Sequence, residues 1–311
     1  MLGILTTVLP VFLLVGAGWL AARFGGFPAS AVAGLMSFAV RFAVPVLLFG
    51  AMARLELAQA FDRDLLASFY AGSLSAFVLG IALARTAFGR RPGEAVALGF
   101  CAMFSNTLLL GVPILSRAEG GADALPAAFA IIALHAPVGY LVGIVTMELS
   151  RRDGAGALQT AQRAGKAIFS NALTLGIASG LALNLSGIAP PEFFMAAVDM
   201  LGAAALPAAL FGLGGALTGY RLKEGLAEAA TMAGLSILLH PAIAWLLGAV
   251  VFDLPEAHLR AAVVLAAMPT GMNGYVFAAM YNRAQGAAAS TVLLGTAASV
   301  LSATFWLWLL G

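Results

Sequence analysis

At 311 residues, 62% hydrophobic and only 10% charged, with a mean hydropathy of +0.99, the chain is far more apolar than a water-soluble domain, which runs nearer ~45–50% apolar and ~25% charged. The net charge of +2 is too small to argue for nucleic acid as a partner, and Cys101, the single cysteine, excludes an intrachain disulfide and a multi-cysteine metal site. At ~20 residues per crossing, the length allows about ten membrane spans joined by short loops.

Apolar runs long enough to cross a bilayer lie at 2–22, 30–53, 65–85, 94–115, 122–148, 167–187, 193–219, 226–251, 259–281 and 287–310. The first has no Lys or Arg ahead of it and is as long as a span, so it reads as a helix and not as a signal peptide. Unpaired backbone groups are costly in hydrocarbon, and Ala261 to Met268 is apolar throughout instead of alternating, so all ten runs read as helices and a β-barrel is disfavoured. The 36 glycines and many alanines suit close helix packing.

Charge sets the orientation. Loops after odd-numbered runs hold 11 of the 16 Lys and Arg residues (Arg23, Arg85, Arg90, Arg91, Arg151, Arg152, Arg163, Lys166, Arg221, Lys223 and Arg283), the opposite side holds four (Arg54, Arg63, Arg117 and Arg260), and Arg41 lies inside a run. The richer side is expected in the cytoplasm, which puts both termini outside an inner (plasma) membrane. The basic segment 149–166 then divides the chain into 1–148 and 167–311, five spans each. AVPVLLFG (Ala43 to Gly50) matches ALPAALFG (Ala205 to Gly212) at five of eight positions, an offset of 162. An odd number of spans per copy makes such repeats inverted, an arrangement typical of secondary transporters whose site lies where two broken helices meet.

The fourth and ninth runs carry the breakers. MFSNTLLLGVPIL (Met103 to Leu115) and AMPTGMNGYVFA (Ala267 to Ala278) each place polar side chains beside glycine and proline at mid-depth. At an offset of 164, Ser105 falls on Pro269 and Asn106 on Thr270. Proline removes a backbone donor, and Asn and Thr can supply partners or hold a ligand. The bland alternative is a pair of ordinary kinked helices.

Asn106-Thr107 followed by Gly111, Val112 and Pro113, together with Met268 to Gly271, Val276 to Ala278 and Tyr281-Asn282, closely resemble the fourth and ninth spans of the auxin efflux carrier family. That family includes plant PIN auxin carriers and bacterial permeases for malate or malonate, and the resemblance covers essentially the whole chain. It implies an all-α membrane fold of ten helices in two inverted five-helix repeats, related to bile-acid symporters and sodium–proton antiporters. Spans one, two, six and seven would form a scaffold, the rest a moving domain, with elevator-type alternating access and a homodimer. Substrate would be a small organic anion, a mono- or dicarboxylate, bound by Asn106, Thr107, Thr270 and Asn273, while Ser105, Gly111, Pro113, Pro269 and Gly271 shape the breaks. Plant members often have proline where Ser105 stands.

Several ionisable residues lie inside runs. Arg41 and Asp199 sit at similar depths in the second and seventh, so a buried ion pair between them competes with a role for Arg41 as a carboxylate receptor. His135, His240 and Asp199 are candidates for proton coupling, against the plainer role of hydrogen-bonded packing for the histidines. The acid-free ninth run argues for proton coupling or none over a sodium-coupled symporter of the bile-acid type, the alternative reading. A remote alternative is an intramembrane enzyme using Ser105 and His135; a sensor is disfavoured because neither terminus holds an output domain. No phosphate loop, metal cluster or nucleophile elbow appears, so no cofactor is expected, and membrane lipid is the surrounding partner.

Overall fold

A computed structural model describes residues 2–150, 157–220 and 225–311. Arg151, Arg152, Arg221 and Lys223, which entered the charge count, lie outside the described residues. Within them the chain is helical, with no strand beyond one isolated bridge. The main elements are α1 (Leu2–Phe24), α2 (Ala29–Ala53), α3 (Arg63–Thr86), α4 (Pro92–Met103), α5 (Val112–Leu115, continuing from a π-helical turn at Thr107–Gly111), α6 (Gly121–Leu149), α7 (Ala157–Phe169), α8 (Ala172–Ser186), α9 (Glu192–Leu217), α10 (Leu226–Val251), α11 (Glu256–Ala266), α12 (Met272–Met280) and α13 (Gln285–Leu310), with one short helical turn at Leu57–Ala60. Seven of these, α1, α2, α3, α6, α9, α10 and α13, are long and apolar enough to cross a bilayer. Large apolar side chains such as Leu13, Val78, Phe193 and Leu301 stand largely exposed, as a lipid-facing surface requires.

Three runs are interrupted, the fourth and ninth where the sequence places its breakers and the sixth where it reads as continuous. The fourth divides into α4 and α5, the ninth into α11 and α12, and the sixth starts at Ala172 instead of 167. The segment expected as a loop at 149–166 carries most of α7, which packs against α6.

Helix ends follow local chemistry. Asp62 Oδ1 accepts from the amides of Asp64 (2.9 Å) and Leu65 (2.8 Å) to start α3, and Asn171 Oδ1 accepts from Leu173 (2.9 Å) to start α8. At the other end of α2, Asn184 Nδ2 lies within hydrogen-bond reach of the carbonyls of Met52, Ala53 and Leu55 (2.8–3.1 Å), at a helix end where carbonyls lose their intrahelical donors.

Two tight helix pairs frame the site. α1 packs along the 205–217 part of α9, and α8 along the 44–53 part of α2. Glycines permit both approaches: a Cβ at Gly18 would strike the carbonyl of Phe211, and one at Gly180 the carbonyl of Phe49.

Candidate functional site

α4 and α11 end in mid-molecule, and their chains then cross. Ser105 and Thr270 form an antiparallel bridge, in which the Asn106 amide donates to the Pro269 carbonyl (2.7 Å) and the Gly271 amide to the Phe104 carbonyl (3.0 Å). The crossing is symmetric about Ser105 and Thr270, 165 residues apart. Ser105 thus lies opposite Thr270, one residue beyond Pro269, with which the 164-residue offset aligns it. Sequence comparison alone could not fix that register, because a break has no helical periodicity to anchor it.

Breaking a helix frees carbonyls that water cannot reach here, so side chains must satisfy them. Ser236 on α10 donates to Met268 O (3.3 Å), and Ser73 on α3 donates to Met103 O (3.2 Å), which also accepts from the Ser105 amide (3.2 Å). Thr270 Oγ1 donates to Cys101 O (2.6 Å), and His135 Nε2 contacts Ser105 O (3.2 Å), which makes Nε2 the protonated nitrogen. Aromatic packing holds the crossing from one side: Phe100 stacks on Phe277 (centroids 4.0 Å apart) and Phe104 contacts the His135 ring (4.4 Å).

Beside the crossing lies a cavity of about 140 Å³, large enough for a small solute with water. Val40, Val44 and Leu48 of α2 and Ile132 and Ala136 of α6 supply apolar wall; Asn106, Thr107, His135, Asn171, Thr174 and Asn273 supply the polar side chains. Asn106 Oδ1 accepts from the Leu109 amide (3.3 Å), Asn171 Oδ1 from the Leu173 amide (2.9 Å) and Asn273 Oδ1 from the Tyr140 hydroxyl (3.2 Å). Each Oδ1 is thus turned toward a donor of the protein, and each Nδ2 makes no hydrogen bond among the described residues. Three helical segments also begin here, at Thr107, Ala172 and Met272, and their N-termini carry positive partial charge. No Lys, Arg, Asp or Glu lines this cavity among the described residues.

The structure redistributes several expected site residues. Asn106, Thr107, Asn273, His135, Ser105 and Gly271 come together at the cavity. Thr270 does not line it, because its hydroxyl is buried against Cys101 O; it locks the crossing instead of facing a ligand. Gly111 packs against Leu265 of α11, Pro269 supplies its carbonyl to the bridge, and Pro113 lies on a different crevice. His240 is buried outside the cavity with its Nε2 on Phe69 O (3.1 Å), and the Phe69 ring contacts both histidines.

The proposed Arg41–Asp199 pair does not form. Asp199 is held by a bidentate pair with Arg54 (2.8 and 2.9 Å), and both line a separate crevice of about 520 Å³ with Pro113 and Arg117. Arg41 lines neither space; it faces an apolar groove between α2, α8 and α9. Similar depth did not imply contact, because the side chains leave their helices in different directions. The Ser105–His135 arrangement is not that of a nucleophile and its base either: His135 engages the Ser105 backbone carbonyl, and Ser105 Oγ is buried without a partner.

Asn171, Tyr140, Ser73 and Ser236 were missed in the sequence. Asn171 carried a signal, since an asparagine directly before an apolar run is a helix-start mark. The two serines carried none, for a lone serine in an apolar helix looks the same whether it serves its own turn or a neighbour.

An apolar helical chain that crosses a membrane several times and breaks two of its helices around a polar cavity has the layout of a membrane transporter. The chain belongs to the family described as membrane transport protein, whose model matches residues 3–307 and which takes in the auxin efflux carriers that the crossover motifs resemble. It is 28% identical over 306 residues to a protein of Rhizobium meliloti (strain 1021) named "Putative malonate transporter", with 97% of this chain and 94% of that one covered. The chain is therefore a multi-pass membrane transporter of that family.

Proposed function

We propose that the protein carries a small organic anion, a mono- or dicarboxylate, whose carboxylate binds at the crossing between Asn106 and Asn273. The observation that carries this reading is the donor bias of the cavity: three asparagines with occupied Oδ1 atoms and three helix N-termini face one small space. Thr107 adds a hydroxyl, and Asn171 joins the binding set. The malonate in the relative's name fits this chemistry.

The framework would be ten spans, α4–α5 and α11–α12 each counting as one, in two inverted repeats at 1–148 and 167–311 joined by 149–166. The paired contacts Gly18–Phe211 and Gly180–Phe49 support that repeat. Spans one, two, six and seven would serve as the scaffold of a homodimer in the inner membrane, with the linker face in the cytoplasm and both termini outside. The remaining spans would move the crossing past the scaffold. His135 is the titratable side chain at the cavity, so coupling to protons, or none, fits better than sodium, which favours carboxylate ligands.

Uptake of radiolabelled malonate into proteoliposomes tests the assignment. Asn106→Ala and Asn273→Ala should each abolish uptake while still giving a monodisperse folded protein. Wild-type uptake by both folded variants would overturn it. A steep dependence of initial rate on sodium, at fixed pH and membrane potential, would overturn the coupling.

A further inference from the structure

Arg41 lies midway along the 25-residue α2, about 18 Å from either end at ~1.5 Å per residue. It is exposed and makes no hydrogen bond or ion pair among the described residues. A guanidinium so placed is costly in hydrocarbon unless an anion meets it. The groove in front of it, about 640 Å³, is walled by apolar side chains including Pro45, Phe49, Leu175, Phe194 and Leu201, with no acidic residue on its lining.

The level of Arg41 is set by α8. Gly176 abuts the Pro45 carbonyl and Gly180 the Phe49 carbonyl, so α8 runs parallel to α2 and its first residue, Ala172, stands level with Arg41. With 15 residues, α8 is only ~22 Å long, short of a ~30 Å hydrocarbon core. Its apolar wall therefore begins at Arg41, and the polar Ser170 and Asn171 lie just before it. A wall this short favours local thinning of the bilayer, which would let a lipid headgroup sink toward this depth.

We infer that the α2–α8–α9 groove is a binding site for an anionic phospholipid, with its phosphate on Arg41 and its acyl chains along the apolar wall. A second copy of the chain fits this groove less well, so the homodimer contact proposed above would use another face of the scaffold. Two-fold contact through this face would bring two unpaired guanidinium groups toward each other with no acidic side chain in the groove to offset them. The inference does not depend on the transported substrate, and its test reads lipid binding alone.

Delipidated wild-type protein in neutral detergent is titrated with phosphatidylglycerol, with phosphatidylcholine of identical acyl chains, and with inorganic phosphate; thermal unfolding and native mass spectrometry are the readouts. Phosphatidylglycerol should raise the unfolding midpoint and remain bound in the gas phase, and it should bind about tenfold more tightly than phosphatidylcholine through its charge-assisted bonds. Inorganic phosphate should do neither. Arg41→Gln should erase the headgroup preference, whereas Arg41→Lys should keep most of it as a point charge. Equal response of the wild type to both lipids would overturn the assignment, as would an undiminished preference in Arg41→Gln or a matching response to phosphate. A lipid-free dimer that dissociates in Arg41→Gln would give the groove to a second copy instead. If Arg41→Gln does not fold, the wild-type comparison and Arg41→Lys still decide.

Discussion

Gly18 lies directly against the backbone carbonyl of Phe211, and the same contact recurs with both partners displaced by 162 residues, as Gly180 against the carbonyl of Phe49. Two copies of one packing arrangement that exchange partners across the molecule would produce this reciprocity. The 162-residue offset is also the one that aligns the Pro45 and Pro207 octapeptides.

The obstacle at each glycine is a backbone carbonyl, which cannot swing aside as a side chain can. Gly18→Ala and Gly180→Ala should therefore each destabilise by ~1–3 kcal/mol, the cost of overpacking. Gly34→Ala, where nothing lies within 4 Å of the new methyl group, serves as the neutral control. Thermal unfolding in one detergent checks all three; equal midpoints would remove the packing role.

Ser73 and Ser236 satisfy the carbonyls freed where α4 and α11 end. Ser236→Ala should cost ~1–3 kcal/mol, the penalty of leaving a buried acceptor unpaired, and Ser73→Ala less, because Met103 O still accepts from the Ser105 amide (3.2 Å). Ser68→Ala should cost less, because that hydroxyl serves a carbonyl one turn back in its own helix. A Ser68→Ala loss as large as that of Ser236→Ala would argue against the carbonyl-capping role.

Tyr140 fixes the face that Asn273 shows to the cavity, since its hydroxyl occupies Oδ1. Tyr140→Phe removes that bond and lets the amide rotate, so carboxylate affinity should fall about five- to tenfold, the ~1 kcal/mol or slightly more of one net hydrogen bond. Isothermal titration with malonate gives the affinity. An unchanged value in a folded variant would show that Asn273 does not depend on Tyr140 for its orientation.

Arg54 and Asp199 form the half-exposed pair that Arg41 does not. A double-mutant cycle on unfolding midpoints should find coupling between Arg54→Gln and Asp199→Asn and none between Arg41→Gln and Asp199→Asn. Coupling in the second cycle alone would reverse the assignment.

The sequence by itself determined the solvent, the helical class and the two places where helices break. Each of these follows from local chemistry: apolar run length, the cost of unpaired backbone in hydrocarbon, and Gly, Pro and Asn at mid-run. It also marked Asn106 and Asn273, because polar side chains beside breakers are few in such a chain. Tertiary structure alone decided what these groups face. The crossing registers Ser105 on Thr270, which turns Thr270 inward to Cys101 O. Helix rotation sends Asp199 to Arg54 and leaves Arg41 on the outer groove. Asn171 reaches the cavity because α8 starts late, level with the crossing. A hydrophobic run fixes how far a residue lies along the membrane normal but leaves its azimuth free; only packing against neighbouring helices sets the direction in which each side chain points.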